Sequence, residues 1–491
     1  MIRAGIDDVI GDAFTPIADF ISGIIFYSIK IGDPDTIAYV QIPLIVAWLV
    51  IAALFFTIYL KFQNVRGVKH ALDLVRGRYS RPEDAGEVSH FQALTTAISG
   101  TVGLGNIAGV AVAVSIGGPG ATFWMILVGF LSMSTKMAEC TLGVKYRIEH
   151  ADGSVSGGPM YYLRDGIAAL GKRKLGRVLA VLFALFCIGG SIGGGNMFQA
   201  NQATSQIINV TGGDDGLLGQ WRFVIGLVFA LAVGAVIIGG IKSIARVTEK
   251  IVPLMAVLYI LGCLAVIFGN FTAIPDAIGQ IFAGAFNPEG IAGGIIGVLI
   301  QGFQRAAFSN EAGVGSASIA HSAVKTEQPA TEGFVALLEP FIDTVVICTM
   351  TALAVIITGT WSDTSSAPGV ETTSAAFATV APWFPILLAV AVVLFAFSTM
   401  ISWSYYGMKA TGYLFKDSAR AELGYKIVFC VFTVIGASLS LGPVIAFSDA
   451  MIFAMAIPNV LGLYLLARVI KTEIFVYRSK VVSGEFAMVE K

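Results

Sequence analysis

SGTVGLGNIAG, residues 99–109, lies inside the apolar run FQALTTAISGTVGLGNIAGVAVAVSIGG. Four glycines, Gly100, Gly103, Gly105 and Gly109, crowd that window together with Thr101 and Asn106. Each glycine costs a helix interior about 1 kcal/mol relative to alanine. A segment long enough to cross a bilayer is therefore weakened at its own middle. A helix unwound at that depth leaves N–H and C=O groups unpaired, at several kcal/mol each in hydrocarbon. The cost is tolerable where the break lines an enclosed cavity with something to bind. Free N–H groups at the start of a half-helix suit a carboxylate, and free carbonyls ending the preceding half suit a small cation. A carboxylate-bearing substrate coupled to a monovalent cation satisfies both.

Composition supports the bilayer. The 491 residues are 56% hydrophobic and 13% charged, against roughly 25% charged in a soluble chain. Runs such as QIPLIVAWLVIAALFFTIYL match the roughly 20 helical residues that span a hydrocarbon core. All five cysteines fall in apolar segments without a CxxC pair, and the four histidines are scattered, so no His/Cys metal site is expected. The opening MIRAGIDDVIGDAF lacks the basic and apolar regions of a cleavable signal, and residues 13–30 read as an amphipathic stretch on the membrane surface.

Eleven spans are predicted, at about 38–61, 91–116, 119–145, 178–208, 221–240, 250–270, 288–316, 333–358, 384–412, 424–441 and 443–468. With the amino terminus outside, only Arg3, Lys30 and Arg222 fall on that side, and Lys136 and Arg305 lie within spans. All other Lys and Arg face the cytoplasm, in loops such as GKRKLGR, while the acidic Asp214–Asp215 pair faces out. The expected fold is an all-α polytopic membrane protein: one peripheral helix, then a core of two inverted five-helix repeats with two discontinuous helices. Residues 1–90 hold the outer amphipathic segment, first span and linker. The repeats occupy 91–270 and 288–470, and 471–491 form a cytoplasmic tail. Any ten spans divide into fives, so the discriminating feature is that both halves open with a damaged helix. In the second half it is IAGGIIGVLIQGFQRAAFSNEAGVGSASIAHSA, whose polar middle holds Gly302, Gly313, Gly315, Arg305, Ser309, Asn310 and Glu311.

Two polar clusters interrupt otherwise apolar spans. In GGGNMFQANQ, Asn196 and Gln199 share a helix face, and Gln199 is a candidate donor to substrate. In FAFSTMISWSYYG, the hydroxyls of Ser398, Thr399 and Ser402 are hard neutral ligands suited to sodium, and Trp403, one turn after Thr399, would cap a small side chain. The ionisable residues within spans are Lys136, Glu139, Arg305, Glu311, Glu339, Asp343 and Asp449. Lys136–Glu139 and Glu339–Asp343 read as pairs on their own helices near the cytoplasmic ends. Arg305 and Glu311 flank the second break, to hold it or gate the inner path, and Asp449 is a protonatable group.

The motifs GTVGLGNIAG, SGGPMYYL, GNMFQAN, QRAAFSNEAGVGSA and FSTMISWSYYG, in this order, resemble those of the alanine-or-glycine:cation symporter family across nearly the whole chain. VGLGN also resembles the first core helix of the bacterial leucine transporter. The resemblance implies a leucine-transporter-like fold, alternating access and symport of alanine or glycine with sodium. The amides of Leu104 and Gly105, beside Thr101 and Asn106, would then hold the substrate carboxylate, with Gln199 adding a hydrogen bond. Backbone at Phe303, Ser309 and Asn310 would take the amino group, and Trp403 would limit pocket depth. The carbonyls of Ser99 and Val102, with Ser398 and Thr399, would hold the ion. One departure from the family pattern is Met408–Lys409 after SYYG, where an acidic residue is common. Proton coupling in the same fold, and an amino-acid sensor or channel, are the competing readings. No enzyme, cofactor or nucleic-acid partner is expected beyond the substrate, the ion and the lipid of the cell membrane, and a single chain would suffice.

Overall fold

The computed structural model describes residues 4–32, 40–81, 84–213, 215–216, 218–287, 294–363 and 369–488, with side chains from residue 14 onward. Arg3, Asp214, the first residues of the spans expected from 38 and 288, and the end of the expected tail lie outside them.

Among the described residues, seven helices are long and apolar enough to cross a bilayer: Ala121–Lys145, Arg173–Val210, Gly240–Gly269, Pro329–Ile357, Phe384–Phe415, Ala419–Ser438 and Leu441–Leu465. Two further pieces, His90–Thr101 and Gly105–Gly117, are long and apolar enough together and are bent by 51° at the break between them. Leu44–Tyr59 and Arg222–Ile237 are apolar but shorter. Leu231, Leu254, Ile427 and Val431 stay exposed on the outer faces of these helices, which is the arrangement expected when lipid is the solvent. The amphipathic stretch begins in the helix Ala4–Ile25, where Phe14 packs edge-on to Phe447 at 5.1 Å, and ends in the strand Ser28–Ile31.

Local sequence explains where the first broken span begins and stops. Ser89 and Gln92 form a reciprocal cap: Ser89 Oγ accepts the Gln92 N–H (3.2 Å) and Gln92 Oε1 accepts the Ser89 N–H (3.1 Å). The helix ends at Thr101, Val102 leaves helical geometry with ψ 88°, and the chain resumes through a π turn at Gly105–Gly109. Only glycine fits at 103. A Cβ there would lie 2.6 Å from Thr399 Oγ1 and 3.0 Å from Gln199 Oε1.

The second interrupted segment runs Gly294–Asn310, then Ala317–His321. Between them Glu311 (φ 55°), Gly313 (φ 91°) and Gly315 (φ 94°) take left-handed backbone, which ends a right-handed helix. The released carbonyls are held. Lys136 Nζ donates to the Asn310 carbonyl at 2.9 Å, where a helix end favours positive charge, and Asn459 Nδ2 donates to the Gly313 carbonyl at 2.9 Å.

Candidate functional site

The two breaks meet, joined by one indole. Trp403 Nε1 lies 3.1 Å from the Gly100 carbonyl of the first break and 3.1 Å from Glu311 Oε1 of the second. Its ring lies so close to Gly195 that a Cβ there would be 2.2 Å from Cγ. Gln199 reaches the first break from the side: its Oε1 accepts the Leu104 N–H (3.0 Å) and its Nε2 donates to the Gly194 carbonyl (2.9 Å). That carbonyl belongs to the π turn Gly193–Met197, which offsets the long Arg173–Val210 span beside the break.

The residues expected at the ion converge here too. Ser99 Oγ lies 3.0 Å from the Ser398 carbonyl and shares a hydrogen bond with Ser402 Oγ. Ser398 Oγ donates to the Phe395 carbonyl at 3.0 Å. Thr399 Oγ1, against Gly103, is buried without a hydrogen-bond partner among the described residues. Leaving a buried hydroxyl unsatisfied costs about 1–3 kcal/mol. A neutral hydroxyl oxygen of this kind suits a small hard cation.

Two of the expected substrate residues aim their side chains elsewhere. Thr101 Oγ1 points back to the Ala97 and Ile98 carbonyls of its own helix (3.3 Å each). Phe303 packs edge-on to Trp124 (6.0 Å) and lines a narrow gap with Val46, Leu49 and Val128. The ring over the first break is Phe308, whose edge would lie 3.2 Å from a Cβ on Gly105. Phe308 packs on Phe198 at 5.7 Å and beneath the Arg305 guanidinium at 5.4 Å.

Asn106, Ser309 and Asn310 gather around helix Pro329–Ile357. Asn106 Oδ1 accepts the Gly103 N–H (2.9 Å), while its Nδ2 donates to Asp343 Oδ1 (2.6 Å) and to the Asp343 carbonyl (3.2 Å). Ser309 Oγ donates to Asp343 Oδ2 (2.7 Å) and Asn310 Nδ2 donates to Thr344 Oγ1 (3.0 Å). The expectation of a Glu339–Asp343 pair on one helix gives way. The π-wound stretch Phe341–Cys348 rotates Asp343 to the breaks and leaves Glu339 to others.

Lys136 likewise pairs across helices, with Glu339 at 3.4 Å, rather than with Glu139 on its own. Glu139 accepts from Asn459 (2.6 Å). His90 and His321 both bind Glu332, and His321 Nε2 also binds Glu339 at 2.5 Å. Cys140, His321 and Glu339 thus form the kind of group the scattered sequence positions did not suggest, with ligand atoms within 4.8 Å of one another. Both imidazole nitrogens are committed to carboxylates, so the group reads as an ionic network. Arg305 pairs with Asp449 at 2.9 Å. Lys409, at the departure from the family pattern, donates to the Val155 carbonyl (2.9 Å) and to Ser156 (3.1 Å).

A profile of the sodium:alanine symporter family matches residues 30–491. The sodium/alanine symporter AgcS of Methanococcus maripaludis is 40% identical over 89% of this chain and 94% of its own. The amino-acid carrier protein AlsT of Bacillus subtilis is 35% identical over 85% of each chain. Among solved structures, MhsT in complex with L-phenylalanine superposes with a TM-score of 0.51 at 18% identity, covering 80% of this chain and 99% of that one. At that identity the likeness speaks for the fold.

Proposed function

The chain belongs to the sodium:alanine symporter family, and from that premise we propose that it imports alanine or glycine in symport with sodium by alternating access. The reading takes eleven spans, with the amino terminus outside and a five-plus-five inverted core. The observation that carries it is the meeting of two interrupted spans at Trp403, with a buried hydroxyl, Thr399 Oγ1, facing the first break without a hydrogen-bond partner among the described residues. Amides at Leu104 and Gly105, with Gln199, receive the substrate carboxylate. In the conformer described, Gln199 Oε1 holds the Leu104 N–H, so its side chain turns to admit the substrate. Backbone at Ser309, next to the Asn310 carbonyl that Lys136 holds, takes the amino group, Phe308 and Trp403 are the rings that bound the substrate side chain, and the ion sits among Ser99, Val102, Ser398 and Thr399.

The energetics suffice. One cation crossing 100 mV contributes about 2.3 kcal/mol, and a tenfold gradient adds about 1.4 kcal/mol. Together they support accumulation of roughly several hundred-fold.

Proteoliposomes holding the purified chain test the reading. Radiolabelled alanine should accumulate under an inward sodium gradient and stop when choline replaces sodium. Uptake that ignores sodium but follows an imposed pH gradient would favour proton coupling, for which the buried His90–Glu332–His321–Glu339–Lys136 chain is the supporting feature. Binding without accumulation would favour a sensor.

A further inference from the structure

One face of the helix Ala467–Ser483 is left open. Arg468, Lys471, Thr472, Phe475 and Ser479 recur along it at spacings of three and four, so they share that face. Across from them stand Tyr59, the last residue of helix Leu44–Tyr59, and Lys61, and the two elements line an open cavity of about 580 Å³. The lysines cross over it. Lys61 Nζ stands 5.4 Å from the centre of the Phe475 ring, and Lys471 Nζ stands 4.4 Å from that of Tyr59. An aromatic face attracts a cation, so each ring holds an ammonium group at the cavity.

The charge collected there is uncompensated. Elsewhere on the same helix the charged groups are matched: Glu473 pairs with Lys145 at 2.5 Å, Arg478 donates to Gln63 Oε1 at 2.9 Å, and Lys480 lies 3.8 Å from Glu485. The cavity lining holds Lys61, Arg468 and Lys471 but no Asp or Glu, and none of the three has an acidic partner among the described residues. The surface leading to it is apolar. Ile51, Leu54 and Ile58 form an exposed stripe along Leu44–Tyr59, at spacings of three and four, that runs down to Lys61. Aromatic and basic side chains take over where the stripe ends, which is the order of chemistries met on passing from acyl chains to headgroups.

We propose that this cavity binds one anionic phospholipid. Its phosphate lies among Lys61, Arg468 and Lys471, the hydroxyls of Thr472 and Ser479 donate to the headgroup, and an acyl chain follows Ile51, Leu54 and Ile58. A soluble phosphate would meet the same cations and have no use for the stripe, which decides for a lipid. Basic pockets between membrane helices recognise anionic headgroups in this way. The bound lipid joins helix Leu44–Tyr59 to helix Ala467–Ser483. Only its leaflet, the cytoplasmic one, rests on the orientation read above.

The test weighs lipid on the full-length chain. Native mass spectrometry from detergent holding equal amounts of phosphatidylglycerol and phosphatidylcholine should show one phosphatidylglycerol retained, with a preference of about tenfold or more. The preference should disappear when Lys61→Gln, Arg468→Gln and Lys471→Gln are combined. It should persist when Lys172→Gln, Lys174→Gln and Lys416→Gln remove three exposed lysines elsewhere. If the first triple variant does not purify, Lys471→Gln alone should lower the preference severalfold. Phosphatidylglycerol should raise the melting temperature of the wild-type chain, and glycerol phosphate or inorganic phosphate should not. Equal retention of the two lipids overturns the site, as does equal loss of preference in both triple variants. Stabilisation by glycerol phosphate matching that by the lipid overturns the lipid assignment in favour of a soluble anion. None of these readouts uses sodium or transport, so their failure is distinct from failure of the symport reading, and maleimide labelling of Val482→Cys reports the leaflet separately.

Discussion

Gln199 and Thr399 separate the two ligands of the site. Gln199→Ala removes an amide that bonds both Leu104 and Gly194, and the half-saturating alanine concentration should rise about tenfold, or about 1.4 kcal/mol, with expression unchanged. Unaltered uptake kinetics would remove Gln199 from the site. Thr399→Val keeps the shape and deletes the unpartnered oxygen, so the sodium requirement should weaken about tenfold or more while the melting temperature holds or rises. Both residues were legible as polar side chains on spans of Leu, Val and Phe. Phe308 and Asp343 were not assigned to the site. A phenylalanine in an apolar run carries no mark of what it faces, and the direction of Asp343 depends on a π turn that helical periodicity of 3.6 does not encode.

At the level of the element, the breaks themselves were legible, because glycine and amide residues at the centre of an apolar run have few other uses. Gly103→Ala should abolish transport while the protein still inserts and purifies, since the added methyl meets Thr399 and Gln199 inside contact distance; full activity would show that the approach is not required. Lys136 acts on the other break. Lys136→Met leaves buried Glu339 with His321 as its remaining partner and frees the Asn310 carbonyl, a loss of up to about 3–5 kcal/mol that should appear as a drop in melting temperature. Pairings such as Lys136–Glu339 were hidden because sequence shows neighbours on one helix, not across two. The linker helix Val68–Val75 makes a third, pH-dependent contact. Burial lowers the His70 pKa from 6.5 to about 4, with its imidazole 2.8 Å from the Tyr477 hydroxyl between the rings of Tyr79 and Phe334. A histidine that stays neutral when folded binds fewer protons than it does unfolded. The docking is therefore complete above about pH 6.5 and weakens as pH falls toward 4. Hydrogen exchange over residues 68–79 should rise between pH 7 and 5, and His70→Asn should flatten that dependence.

For the whole molecule, hydropathy made the membrane class and the long spans plain, and the strand pair Ser28–Ile31 with Val40–Pro43 was missed because four residues carry little pattern. The proposed orientation puts Arg305 and Asp449 on the outer side of the breaks, opposite to the inner gate first read for Arg305, because Gly294–Asn310 and Leu441–Leu465 both start outside. A cysteine at the exposed Val482, in a background without the native cysteines, should react with impermeant maleimide only from the cytoplasmic face; labelling from outside would invert the topology. All of this rests on two interrupted spans lending their peptide groups to an anion and a cation in one chamber. An experimental map of the protein with alanine and sodium tests that directly: the account requires the alanine carboxylate against the amides of residues 103–105, with ion density beside Thr399. Alanine bound elsewhere, or unbroken helices through residues 99–109 and 302–316, would contradict it.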